Sequence, residues 1–154
     1  MREHLYRGID RKAGIWVFGS YLYLEKYREK YGVERNNIHL IMPRAIDKEM
    51  TIGLMGIEVI PETVGQFIGL KDKNNMMIFG GDIFTVCGRC PKLVKFIDKL
   101  AAFCIANVNQ LKDEKWNNIW GSISEVWWHE FGHEIEVIGN IHDNPELLEA
   151  QNVA

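Results

Sequence analysis

Gly65-Gln66-Phe67-Ile68-Gly69-Leu70-Lys71-Asp72-Lys73-Asn74-Asn75-Met76-Met77-Ile78-Phe79-Gly80-Gly81-Asp82-Ile83-Phe84-Thr85-Val86 is the stretch on which the fold turns. Its apolar runs are four to six residues long, rich in β-branched and aromatic side chains, and separated by polar or glycine-rich breaks. That punctuation suits strands joined by tight turns, because a helix would need a longer apolar stripe of period 3.6. Lys71–Asn75 is read as one turn and Gly80-Gly81-Asp82 as the next. Upstream, Ile57–Ile60 is a short strand and Pro61–Val64 a turn.

The same grammar extends outward in both directions. His4–Ile9 and Ile15–Leu24 flank Asp10-Arg11-Lys12-Ala13-Gly14 and read as a β-hairpin, with Trp16, Phe18 and Leu22 on one face and Tyr21 and Tyr23 on the other. Glu25–Gly32 stacks like charges at i,i+4, which builds helices poorly, yet Tyr27 and Tyr31 would share a face of a two-turn helix closed by Gly32. Asn37–Met42 is a strand stopped by Pro43, and residues 44–56 show no period and are read mostly as loop. Residues 93–108 fit either a helix face (Leu93, Phe96, Ile97, Leu100, Phe103) or two strands around Asp98-Lys99; β-branched and aromatic content favours the strands. Glu134–Ile141 alternates as a strand. Asp143-Asn144-Pro145 then suggests an N-cap, a proline at the first helical position and one or two helical turns.

The expected fold is therefore mainly β: short antiparallel hairpins forming a small barrel-like or coiled sheet, with one or two short helices. With 154 residues, 47% of them hydrophobic, the chain can bury one core, or two subdomains divided near residue 60 (about 1–60 and 61–154). The net charge is −3, unevenly spread: residues 1–50 carry ten Lys/Arg against seven Asp/Glu, and residues 101–154 carry two against nine. A basic N-terminal face could meet nucleic acid, although the overall balance gives that partner no support. Without an apolar leader or a run of about 18 apolar residues, neither a secretory signal nor a membrane helix is expected. The three cysteines are expected to remain thiols in a bacterial cytoplasm.

Three segments carry a family signal. Met1–Gly8 followed by Gly14–Gly19, Pro61–Asn74 continuing to Ile78-Phe79 and Gly81-Asp82-Ile83, and Glu136–Leu148 together resemble the YopX family of phage and prophage proteins. The resemblance implies a β-rich fold, with a hairpin following the Gly-Asp-Ile turn. It implies no enzymatic activity, so the expected role is that of a phage accessory protein that self-associates or binds another protein.

His129-Glu130-Phe131-Gly132-His133 has the His-Glu-x-x-His spacing of zinc hydrolases, which needs both imidazoles on one helix face. Gly132 and the strand alternation soon after His133 argue against that helix, so a loop or strand edge is expected. Cys87-Gly88-Arg89-Cys90 has the spacing of a zinc knuckle or a redox pair, but only Cys104 remains among the thiols, and His129 or His133 would have to complete a shell. No metal and no cofactor are expected. Trp116, Trp120, Trp127 and Trp128 are candidates for an interaction surface, or else fill the core. Gly65, Gly69 and Gly81 with Asp82 are expected to serve turns, Asp82 by accepting backbone hydrogen bonds.

Overall fold

The structure, a computed structural model, describes residues 4–28, 32, 34–43, 56–111 and 119–149. The chain divides into two compact units, Met1–Phe67 and Ile68–Ala154. The strands are antiparallel throughout and lie in two sheets, with one short α-helix among the described residues.

The first unit opens with the hairpin of β1 (Tyr6–Ile9) and β2 (Trp16–Arg28). Its turn is built by Asp10, whose carboxylate accepts from the Lys12 and Ala13 amides at 2.7 and 3.1 Å, and by Gly14 at φ +68°. β3 (Glu34–Pro43) pairs along β2 from Gly19↔Pro43 to Arg28↔Glu34. The short helix considered around Tyr27 therefore does not form through Arg28. Cross-strand pairing, capped by an Arg28–Glu34 ion pair of 2.9 Å, prevails over a helical segment whose like charges would repel at i,i+4. Gly19 is required where the two strands meet, because a Cβ there would lie 1.9 Å from the Met42 carbonyl oxygen. The loop reading for residues 44–55, like Tyr31, falls outside the described residues.

β4 (Ile57–Glu58) pairs with Leu40 and Ile41, a 3-10 turn follows at Pro61–Thr63, and β5 (Gly65–Lys71) begins beside β1. The order in this unit is β4-β3-β2-β1-β5. Leu5, Ile38, Ile41, Val59 and Phe67 are buried, and the buried Arg7 guanidinium lies 4.6 Å from the Trp16 ring centroid. β1 accompanies β2 only as far as Gly19. Beyond Ser20, β3 is the one ladder neighbour of β2 among the described residues, but β4 flanks β3 at Leu40 and Ile41, opposite Leu22 and Tyr21, and the Val59 amide donates to the His39 carbonyl opposite Tyr23, so the two-stranded arm is Leu24–Arg28 with Glu34–Ile38.

In the second unit β5 turns at Asp72–Asn75 into β6 (Met77–Phe79), and β7 (Asp82–Val86) follows the glycine pair. β8 (Arg89–Ile97) and β9 (Ala102–Asn107) are indeed two strands, joined by a 3-10 turn over Asp98–Leu100. With β10 (Gly121–Ser122) and β11 (Ile135–Asn140) they give the order β10-β9-β8-β7-β11. Ile68, Ile78, Phe84, Val94 and Ile135 form one buried cluster; Ile83, Leu93 and Val108 form another. After β11 the chain makes a 3-10 turn at Pro145–Leu148, without the expected side-chain N-cap. The side chain of Asn144 is drawn back to the Asn140 amide and to Glu146, while Asn140 Oδ1 accepts from the His142 and Asp143 amides at 2.9 Å each.

Candidate functional site

The β2–β3 ladder is the part of the first unit that carries unusual surface. Period-two alternation places Phe18 and Leu22 on one face of β2, where they are 45% and 42% exposed. The other face carries a ladder of rings. Tyr6 and Tyr21 lie 5.3 Å apart and Tyr23 and His39 lie 5.0 Å apart. The Tyr21 hydroxyl and His39 Nδ1 are 2.6 Å apart, and the Tyr23 hydroxyl donates to Asn37 Oδ1 at 2.6 Å. Burial, followed by the neighbouring phenols of Tyr23 and Tyr6, pushes the Tyr21 phenol above its ordinary pKa.

Three arginines of this half have carboxylate partners. Arg28 pairs with Glu34, and Arg35 and Arg11 both reach Glu58, at 2.7 and 3.4 Å. These guanidinium groups already have carboxylate partners, which weakens the case for a phosphate-binding face.

The His-Glu-x-x-His segment is helical, contrary to the loop or strand edge expected from the sequence. α1 (Glu125–Phe131) starts at Ser124, whose hydroxyl accepts from the Trp127 amide at 3.2 Å, and Glu125 occupies the positive first turn. Trp127 and Phe131, four residues apart, stack at 5.6 Å and turn inward with Trp128, leaving Glu125, Val126, His129 and Glu130 outside. The α-helix ends before the second histidine: Phe131 relaxes to φ −113°, and Gly132–Glu134 continues as a 3-10 turn. His129 and His133 are both exposed, on different helical elements. Among the described residues no three His, Cys, Asp or Glu side chains converge as they would around a metal ion.

Cys87 and Gly88 form the two-residue loop between β7 and β8, both with positive φ (51° and 67°), and Cys90 lies at φ 50° just beyond, where the strand register shifts. Cys87 and Cys90 are free and exposed, whereas Cys104 is free and fully buried on β9, where burial raises its thiol pKa.

Trp127 and Trp128 pack on the first core cluster of the second unit and Trp120 on the second; Trp116 lies outside the described residues. Gly65 is buried opposite Arg7, and Gly69 and Gly81 adopt φ of +93° and +91°. Gly81 donates to the Val94 carbonyl at 2.8 Å, and the buried Asp82 carboxylate accepts from the Phe79 amide at 2.7 Å.

The turn at Lys71–Asn75 is legible in the sequence, but the part that the Asp72 side chain plays in it is not. Its buried carboxylate accepts from the amides of Asn74 and Met76 at 2.9 Å each, within the turn, and from Val137 on β11 at 3.0 Å. The Asp-Lys-Asn-Asn composition signals the local turn, but nothing local signals the bond to β11.

These features define an antiparallel β protein with one short helix, whose described residues assemble no metal-ligand cluster. The sequence pattern of the YopX protein family matches residues 5–149, and the chain belongs to that family. It is similar to a solved structure described as the crystal structure of protein EF1440 from Enterococcus faecalis, with 20% identity and a TM-score of 0.47 over 96% of this chain and 99% of that one. No curated protein matched the chain. No helix among the described residues is long and apolar enough to cross a membrane.

Proposed function

We propose that this protein is a non-enzymatic phage or prophage accessory protein, acting in the cytoplasm of a bacterial host, and that it binds a second protein surface through the edge of β2. The observation that supports this reading is the edge of β2 beyond Gly19, which β1 leaves without a ladder neighbour among the described residues, beside the exposed Phe18, Leu22 and Tyr23. Two strands alone are marginal in water, and an unpaired edge beside apolar side chains invites strand addition. Self-association is the form favoured here, because identical edges can pair about a two-fold axis.

Light scattering across a concentration series tests the reading. The chain is expected to form a discrete oligomer that Leu22→Lys disperses without loss of circular dichroism. A monomer at every concentration, or an oligomer indifferent to Leu22→Lys and Phe18→Glu, overturns self-association through this edge.

A further inference from the structure

In an antiparallel ladder, alternate residues of a strand turn their N–H and C=O groups to the same neighbour. The Asp10 amide donates to the Ile15 carbonyl at 2.9 Å, in the register that sets Gly8 opposite Val17 and Tyr6 opposite Gly19. Stepping in twos from that bonded pair, Val17 and Gly19 also face β1. On the far side, the Val59 amide donates to the His39 carbonyl at 2.9 Å, so odd-numbered residues of β3 face β4 and even-numbered ones face β2. Their partners Ser20, Leu22 and Leu24 therefore face β3. Beyond Gly19, then, the backbone groups of Tyr21, Tyr23, Glu25 and Tyr27 point away from β3. They line the flank that β1 leaves without a ladder neighbour among the described residues.

Two copies of one strand pairing about a two-fold axis run antiparallel, and residues directly opposite share a face of the sheet. The axis must then pass beside one residue, not between two. Most positions are disfavoured. With the axis at Tyr23 or earlier, a residue of the partner would fall opposite Gly19, whose backbone groups already serve β1. With the axis at Glu25 or Lys26, that residue would meet its own copy, like charge against like, and at Tyr27 the axis would oppose Lys26 to Arg28. Leu24 is free of both faults. It lies midway between Ser20 and Arg28, so the whole open flank is paired. Tyr21, Tyr23, Glu25 and Tyr27 all bond to backbone, while Glu25 faces the partner's Tyr23, Lys26 the partner's Leu22 and Arg28 the partner's Ser20.

We propose that two copies of the chain pair through Ser20–Arg28 with the two-fold axis at Leu24. The proposal rests on the self-association put forward above and adds its register, which decides what each side chain of the edge meets. It also gives a reason for the effect of Leu22→Lys, which sets a second ammonium group opposite Lys26 on both sides of the axis.

Cysteine substitution in the full chain tests the register, with Cys87→Ser and Cys90→Ser in the background and Cys104 left fully buried. Opposed residues of a pair that shares no hydrogen bond have Cα atoms about 4.5 Å apart, within disulfide reach. Under a mild oxidant, Leu24→Cys should give a covalent dimer. Leu22→Cys and Lys26→Cys should each give none alone, and the two combined in one chain should cross-link. Independently of any disulfide, Lys26→Glu should restore to Leu22→Lys the oligomer that the single variant loses. An oligomer that cross-links through Glu25→Cys or Lys26→Cys in preference to Leu24→Cys, or that Lys26→Glu fails to restore, overturns the register and leaves association through the edge standing. A chain that is monomeric at every concentration overturns both.

Discussion

The Asp72 carboxylate accepts a hydrogen bond from the Val137 amide, at 3.0 Å and 65 residues away in sequence. The same group closes its own turn through the Asn74 and Met76 amides, so one buried side chain joins the β5–β6 hairpin to β11. Beside it, the Lys73 amide donates to the Ile135 carbonyl at 2.9 Å and the Lys73 ammonium pairs with Glu136.

Replacing Asp72 should therefore be costly. Asp72→Ala leaves the turn amides and Val137 without their charged acceptor, and a loss of about 3 kcal/mol is expected. Asp72→Asn should lie between wild type and alanine, because its amide can serve the turn or Val137 with its one oxygen but offers the other a donor. Urea unfolding of the three proteins checks the order; equal stability of Asp72→Ala and wild type would contradict it.

Gly132 fixes how closely α1 can end against its own tryptophan. A Cβ at this position would lie 2.9 Å from Trp128 Cε2 and 3.0 Å from Nε1, although φ is an ordinary −56°. Gly132→Ala should displace the indole and cost about 1–3 kcal/mol through overpacking. A shifted tryptophan emission together with a lower unfolding midpoint is the expected outcome.

The cysteines should divide by reactivity. In the native chain, Cys87 and Cys90 are expected to react promptly with a thiol reagent, while Cys104 is shielded by complete burial and by its raised pKa. Two fast thiols per chain, and a third released only by denaturant, is the pattern sought. Three fast thiols would mean that β9 is not packed as described.

Tyr21 makes stability sensitive to alkali. Its phenol is held above the ordinary value, about 10, by burial and by Tyr23 and Tyr6. In the window between the unfolded and folded values the native chain keeps a proton that the unfolded chain has lost. Its contribution is thus complete below the unfolded value and falls as pH rises through the folded one. The phenolate absorbance of wild type minus that of Tyr21→Phe should show a step above the ordinary midpoint, and a step at the ordinary midpoint would refute the shift.

Much of this architecture was legible because its turns are written in local chemistry. Asp10 and Gly14 mark the first hairpin, Lys71–Asn75 the next, and the β-branched content of residues 93–97 and 102–108 correctly favoured strands over a helix. The helix at 125–131 was obscured by Val126, Trp127 and Trp128, residues equally at home in sheets. Its signals were Ser124 as N-cap and the spacing of Ile123, Trp127, Trp128 and Phe131, which marks one helical face. The extension of β2 to Arg28 was hidden for a different reason, since only its pairing with β3 determines it. At the level of sites, the sequence exposed the cysteine and histidine spacings separately. The backbone hydrogen bond from Cys87 to Glu134 depends on the β7–β11 pairing, which no local pattern encodes.

That pairing has a bearing on synthesis. β7 is made more than forty residues before β11, its neighbour in the sheet, so on the ribosome it waits with one flank bare while the intervening chain emerges. Until Ile135–Asn140 clears the exit tunnel, the nascent sheet keeps an unmated margin. Premature termination anywhere upstream of that strand would leave the margin permanently available to other chains.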